Sequence, residues 1–308
     1  MIKVTDLSKN YDTVEAVKSI SFDLNDGEII GFLGANGAGK TTTLKMITGY
    51  LVPTKGEIKI NDLDIHEDTH EIQKLIGYLP ELNPLYPEMR VYEYLEFLAS
   101  IRNIFGRDFK DALARVVEQC GLRGVVHKNI SDCSKGYKQR IGLAAAMIHD
   151  PKILILDEPV TGLDPNQIVE IRQLIKSLGK EKLVFMSSHI LQEIERITEQ
   201  IIILHQGRLL ALGNLHSIRE RLDKIPHRIS IQTEDPKALA KNVIDIDEVF
   251  GISFPDGKNL SIQTHNLGAI HSRLPQIIVD NNHKVNTIDN PDDDLASILG
   301  YLTSGGGI

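Results

Sequence analysis

The stretch that decides the fold runs from Glu28 to Ile47, EIIGFLGANGAGKTTTLKMI. It opens on an apolar run of strand length, Ile29–Leu33, and passes through a loop carrying Gly34, Gly37 and Gly39. From Lys40 it continues with helical spacing. The residues from Gly34 to Thr41 match G-x-x-x-x-G-K-[ST], in the strand–loop–helix context that motif requires. Glycines let successive backbone N–H groups turn inward as a nest for an anion, and the N-terminus of the following helix adds positive potential. Asn36 and Ala38 complete the loop between the glycines. Lys40 has the reach for β- and γ-phosphates, Thr41 has a hydroxyl suited to Mg²⁺, and Thr42 adds a second phosphate contact.

Two later strands supply the acid–base groups. ILILDEP places four apolar residues before Asp157 and Glu158. A carboxylate at the end of a buried strand can hold Mg²⁺ through water, and its neighbour can polarise a water for attack on a γ-phosphate. FMSSHILQE ends a third buried strand at His189. In a sheet whose strands all point one way, these strand ends share one edge, which makes His189 a candidate γ-phosphate contact.

Around these motifs the chain reads as strands alternating with helices, the pattern of a mostly parallel sheet. MIKVTDLSKNY and VEAVKSISFDLNDGEIIGFLG alternate like paired strands, with Asp26-Gly27 as a hairpin signal, and GEIKINDLDI suggests a further strand pair. From about Pro84 to Asp150 the spacing becomes helical. KILILD, PNQIVEIRQLIKSLG, KLVFMSSH, LQEIERIT and QIIILHQGRLLALG then read as strand, helix, strand, helix, strand. After about residue 222 the character changes, and 225–308 reads as a small α+β domain of strand, helix, hairpin, helix and strand. Pro255-Asp256-Gly257 marks the hairpin, and PDDDLASILGYLT suggests a terminal helix. His227, His265, His271 and His283 match no metal-ligand spacing and read as surface histidines.

The 308 residues carry a net charge of -8, with 42% hydrophobic and 25% charged residues. Those proportions are ordinary for a globular protein. An acidic balance argues against a general nucleic-acid binder, which needs a basic stripe for phosphate. The two cysteines, Cys120 and Cys133, form no disulfide framework and read as reduced thiols. No stretch approaches the ~18 apolar residues needed to cross a bilayer.

The order of a phosphate loop, a helical block, SKGYKQR, LILDEP, GLDP and a strand-end His resembles the nucleotide-binding subunit of ATP-binding cassette (ABC) transporters. That resemblance covers about residues 1–220. It implies a P-loop NTPase cassette of the α/β class: a mostly parallel sheet, an antiparallel β subdomain, and a helical subdomain at about 84–150. The small α+β domain would then be an accessory. Where the family usually reads Leu-Ser-Gly-Gly-Gln, this chain has Cys133, Ser134, Lys135, Gly136 and Tyr137, followed by the familiar Lys138-Gln139-Arg140. These departures leave the Ser134 hydroxyl and the Gly136 backbone available. The resemblance implies that both bind the γ-phosphate of ATP held by a second subunit, so that two subunits close head-to-tail around two ATPs. It further implies that Tyr11 stacks on adenine, that Asp164 in TGLDP communicates between subunits, and that IGYLPELNPLYPEMRVYEYL joins the core to the helical block. Glu81 stands where the family usually has a Gln that ligates Mg²⁺.

The implied activity is ATP hydrolysis that moves separate membrane subunits. ATP and Mg²⁺ would be bound, with a permease and an identical or paralogous ATPase as partners, and no nucleic acid. The chain would sit on the cytoplasmic face of the membrane. Lys40, Glu158 and His189 carry the chemistry in this reading, and Thr41, Asp157 and Glu81 hold the metal. The GYLPE and SKGYKQR segments resemble export-type (ABC-2) ATPases, including those associated with gliding motility and with antibiotic or polysaccharide export. The alternative is a soluble ABC ATPase acting on ribosomes or DNA. Such proteins usually carry two cassettes or long coiled-coil arms, and this chain has one phosphate loop and no heptad arm. For residues 225–308 a ligand-binding regulatory module and a purely structural unit both remain open.

Overall fold

In the computed structural model the N-terminal alternation becomes an antiparallel pair, β1 (Ile2–Tyr11) and β2 (Val14–Leu24). Ile2 and Val4 on β1, and Ile20, Phe22 and Leu24 on β2, are buried at a spacing of two, which sets one face of the pair against the core. β3 (Ile29–Leu33) and α1 (Lys40–Ile47) follow. Next come β4 (Lys55–Ile60), which pairs with the other side of β1, and the two-residue β5 (Leu63–Asp64). The first sheet therefore runs β2-β1-β4-β5. The structure describes residues 2–25, 27–198, 200–214, 217–218, 227–264 and 266–289, and the chain divides into two compact units, Met1–Asn214 and Leu215–Ile308.

The second sheet of the larger unit adds to β3 the strands β6 (Ile76–Leu79), β7 (Ile153–Leu156), β8 (Leu183–Ser188), β9 (Gln200–His205) and β10 (Arg208–Asn214). Its order is β10-β9-β3-β8-β7-β6. Neighbouring strands are parallel except for the β9–β10 pair. Every residue of β7 and β8 is buried. A parallel sheet covered on both faces requires such unbroken apolar runs. The seam between the two sheets is aromatic: Phe22 of β2 lies 6.3 Å from Phe32 of β3 and 6.0 Å from Phe185 of β8, and Phe32 lies 5.1 Å from Phe185.

The helices of this unit are α2 (Thr69–Leu75), α3 (Val91–Ile101), α4 (Gly106–Gln119), α5 (Lys135–Met147), α6 (Pro165–Leu178) and α7 (Leu191–Glu195). Of these, α3 to α5 form the helical block. Polar contacts tie its end to the sheet. Arg115 of α4 and Lys182 both pair with Asp150, and Lys182 Nζ also donates to the Pro151 carbonyl at 2.7 Å. Both cysteines are buried and free.

Three sequence expectations change. β2 and β3 lie in different sheets and so do not pair as the hairpin expected at Asp26-Gly27, of which Asp26 lies outside the described residues. The doubly buried β3 takes parallel neighbours, β8 and β9, in place of the half-exposed β2. QIIILHQGRLLALG is two antiparallel strands, reversed at Gln206 and Gly207 with φ of 46° and 81°. Gln gives little sign of left-handed backbone in a sequence. The short α2 and β6 were not foreseen; four residues containing a glycine carry little period.

The second unit contains β11 (His227–Thr233), α8 (Pro236–Val243), β12 (Val249–Ser253), β13 (Asn259–Thr264), α9 (Leu267–Asp280) and β14 (Val285–Asp289). Its antiparallel sheet runs β12-β13-β11-β14, a split β-α-β arrangement repeated twice. Ile229, Ile231, Leu260 and Ile262 from the strands share a buried core with Leu239, Val243, Ile270 and Leu274 from the helices. The Asp256 carboxylate closes the β12–β13 hairpin by accepting from the backbone N–H groups of Lys258 and Asn259, each at 2.8 Å. His283 is half-buried and lies 3.0 Å from the Asn242 amide, while His271 is exposed. His265, the side chain of His227 and the expected terminal helix lie outside the described residues.

Candidate phosphate-binding site

β7, β8 and β3 are adjacent and parallel, so their C-terminal ends deliver Asp157 and Glu158, His189, and the Gly34–Gly39 loop to one edge. A cavity of about 590 Å³ opens there. It is lined by Ala16, Asn36, Gly37, Ala38, Gly39, Lys40, Thr41, Thr42, Glu81, Glu158, Thr161 and His189.

The loop holds its shape through Gly37 and Gly39, whose φ values are +79° and +105°. At Gly39 a Cβ would also stand 2.5 Å from the Ala16 carbonyl oxygen. Gly39 is the N-cap of α1; no side chain caps that terminus and no acidic residue sits in its first turn. The helix therefore presents N–H groups and positive potential to the cavity. Gly34 backs the loop without lining the cavity; its N–H donates to the Ser188 carbonyl at 3.3 Å.

The charged groups interlock. Lys40 is buried, and its Nζ donates to the Gly34 carbonyl at 2.7 Å while lying 3.4 Å from Glu158 Oε1. Glu158 Oε2 accepts from Thr161 Oγ1 at 3.1 Å and lies 2.9 Å from His189 Nδ1. Behind Glu158, Asp157 is fully buried; its Oδ1 accepts from Ser187 Oγ at 2.6 Å, and Oδ2 has no hydrogen-bond partner. Asp157 is absent from the cavity lining, whereas Thr41 and Glu81 are on it; the oxygen chemistry of the three, with one carboxylate oxygen orphaned, fits a hard divalent cation such as Mg²⁺. A lysine, two carboxylates and a histidine beside an anion nest are equipped to bind polyphosphate and to activate a water against it.

Other candidates stand apart from this cavity. Tyr11 is exposed and does not line it; Lys9 Nζ lies 5.5 Å from its ring centroid. Ser134 caps α5, accepting from Tyr137 N, and Asp164 caps α6, accepting from Gln167 N at 2.9 Å. Gly136 packs on the Gln167 side chain, where a Cβ would come within 2.7 Å of it. Gly136 and Asp164 thus meet at Gln167, with Ser134 two residues before Gly136 at the N-cap, and none of the three lines the cavity. The Lys135 amine lies against Gly162. Sequence reading missed Ala16, Thr161 and Ser187. Thr161 carried the better signal, since a hydroxyl three residues after a reactive carboxylate can reach back to it in a turn.

A family model described as ABC transporter matches residues 17–161, and one described as AAA domain, putative AbiEii toxin, Type IV TA system, matches 128–195. The bacitracin transport ATP-binding protein BcrA of Bacillus licheniformis is 35% identical over 311 residues, covering 100% of this chain and 99% of that protein. The uncharacterized ABC transporter ATP-binding protein YxlF of Bacillus subtilis is 38% identical, covering 72% of this chain and 73% of its own length. A solved ATP-binding subunit of an ABC transporter superposes with a TM-score of 0.65 at 30% identity, covering 72% of this chain and 93% of that one. A dimeric ATP-binding cassette in a post-hydrolysis state with ADP and phosphate gives 0.63 at 25% identity, covering 70% of this chain and 99% of that one.

Proposed function

The chain belongs to the ATP-binding subunits of ABC transporters, and from that membership we propose that it hydrolyses ATP in a head-to-tail dimer to drive separate membrane subunits of an ABC-2 type exporter. The observation that carries the reading is the contact chain Lys40–Glu158–His189 beside the phosphate loop. The full-length likeness to BcrA, named for bacitracin transport, supports a part in transport. The dimeric neighbour with ADP and phosphate supports the paired, hydrolytic state. No described helix is long and apolar enough to cross a membrane, in keeping with a permease on separate chains and with this subunit sitting peripherally on the inner face.

In this reading Lys40 exchanges the Gly34 carbonyl for β- and γ-phosphate oxygens, which also releases its hold on Glu158. Glu158 then takes a proton from the attacking water. His189, which touches the same carboxylate oxygen, keeps Glu158 oriented and contacts the γ-phosphate. Thr41, Asp157 and Glu81 would hold Mg²⁺, which when bound would supply neutralisation of phosphate charge. Ser134 and Gly136, which do not line the cavity, would bind the γ-phosphate of the nucleotide held by the partner subunit, Asp164 would communicate between the subunits, and Tyr11 would be the adenine platform. The helical block and the Glu81 loop pass motion to the permease.

Glu158→Gln tests the assignment. The variant should lose ATP turnover by at least roughly a hundredfold while accumulating a nucleotide-bound dimer, and tagged protein with ATP should recover a multi-span protein from detergent-solubilised membranes. Near-normal hydrolysis would remove Glu158 from the chemistry, and recovery of ribosomes alone would replace the transporter reading with the soluble one.

A further inference from the structure

Ser187 lies one residue before the end of β8 with no exposed surface, and its hydroxyl stands between two acidic residues. It donates to Asp157 Oδ1 at 2.6 Å and accepts from the Glu158 backbone N–H at 2.9 Å. The direction of both bonds is fixed by chemistry: the N–H has only a proton to give, so the single hydroxyl proton goes to the carboxylate. One side chain thereby controls both groups. On the Asp157 side it occupies Oδ1 and leaves the buried, unpartnered Oδ2 as the oxygen available to a cation. On the Glu158 side it anchors a backbone in the left-handed region, φ 49°, which a non-glycine residue keeps only when its surroundings hold it there. Main-chain position decides where the Glu158 carboxylate meets Lys40, Thr161 and His189.

We propose that Ser187 is a positioning residue for the hydrolytic site, setting the metal-holding oxygen of Asp157 and the backbone of Glu158 through one hydroxyl. The inference rests on the reading of Asp157 as a Mg²⁺ holder and Glu158 as the base. It assigns the end of β8 a part in the reaction separate from that of His189, two residues on. Because Ser187 is fully buried and does not line the cavity, its loss should act on rate and metal affinity and leave nucleotide capture by the loop intact.

The test compares full-length wild type, Ser187→Ala, Ser187→Thr and Glu158→Gln. Steady-state hydrolysis gives kcat and KM, electron paramagnetic resonance titration gives the Mn²⁺ affinity of the ATP-bound protein, and circular dichroism verifies folding. Ser187→Ala should lower kcat at least tenfold, about 1.4 kcal/mol, weaken Mn²⁺ at least threefold, and leave KM for ATP within about twofold. Ser187→Thr keeps the hydroxyl and should restore both losses. Wild-type kcat and Mn²⁺ affinity in Ser187→Ala would overturn the proposal. So would a folded Ser187→Thr as impaired as the alanine variant, which would trace the loss to packing. If wild type hydrolyses nothing, or Glu158→Gln hydrolyses normally, the functional reading fails on its own, and an unchanged Mn²⁺ affinity in Ser187→Ala then separately refutes the role of Ser187.

Discussion

Acid destabilisation of the larger unit should run through His149. Its Nε2 lies 3.1 Å from the Ile76 carbonyl, so that nitrogen carries the proton and donates, while Nδ1 is buried without a partner. Protonating Nδ1 would place a charge in a desolvated site near Arg102, Arg115 and Lys182. Burial is the main cause that pushes the pKa down to about 4, followed by the Arg102 charge; the Ile76 hydrogen bond opposes it, and Arg115 and Lys182 add to the fall. The unfolded chain takes its proton near the ordinary value of 6.5. Between the two values the unfolded state binds more protons, so stability is complete above about pH 6.5 and falls as pH drops toward 4. Each pH unit inside that window costs about 1.4 kcal/mol, which amounts to about 2 kcal/mol between pH 7.5 and pH 5. Urea unfolding followed by circular dichroism at those two pH values measures it. His149→Gln keeps a donor for Ile76 and does not titrate, so its stability should fall by about 2 kcal/mol less than that of wild type over the same interval. Identical pH dependence in the two proteins would refute the argument.

Gly39→Ala should weaken ATP binding by at least roughly tenfold without unfolding the chain, since it adds a Cβ 2.5 Å from the Ala16 carbonyl at a φ of +105°; titration with a fluorescent ATP analogue measures this. Phe185→Ala removes a fully buried ring that touches Phe22 and Phe32 across the two sheets. It should cost about 3–5 kcal/mol, read as a lower urea midpoint at unchanged slope.

The parallel core was legible because its strands are buried on both faces: Ile153–Leu156 and Leu183–Met186 are apolar without a break, and each ends on a group with chemistry. The phosphate loop was legible because its glycines are forced by geometry. The Asp26-Gly27 turn was misread because local turn chemistry does not say which sheet the next strand will join. Tyr11 could be matched by resemblance, yet its distance from the phosphate cavity depends on tertiary placement. Ser187 escaped notice for a similar reason, since a serine in a buried strand has meaning only once β7 is beside β8. The second unit was legible in element order, from its Asp256 turn and alternating isoleucines, while its strand order required the pairing itself.

Under the proposed role of Glu158 as the base, its left-handed backbone sets this protein's stability against its turnover. A glutamate at φ 49° carries strain on the order of 1–3 kcal/mol, in a molecule whose net stability is itself only about 5–15 kcal/mol. Glycine would sit there without that strain, and asparagine with less of it. Neither supplies a carboxylate against His189 and Lys40. Directed evolution for thermal tolerance alone would therefore drift toward glycine at this position and enrich sturdier, silent proteins, unless each round also required ATP to be consumed.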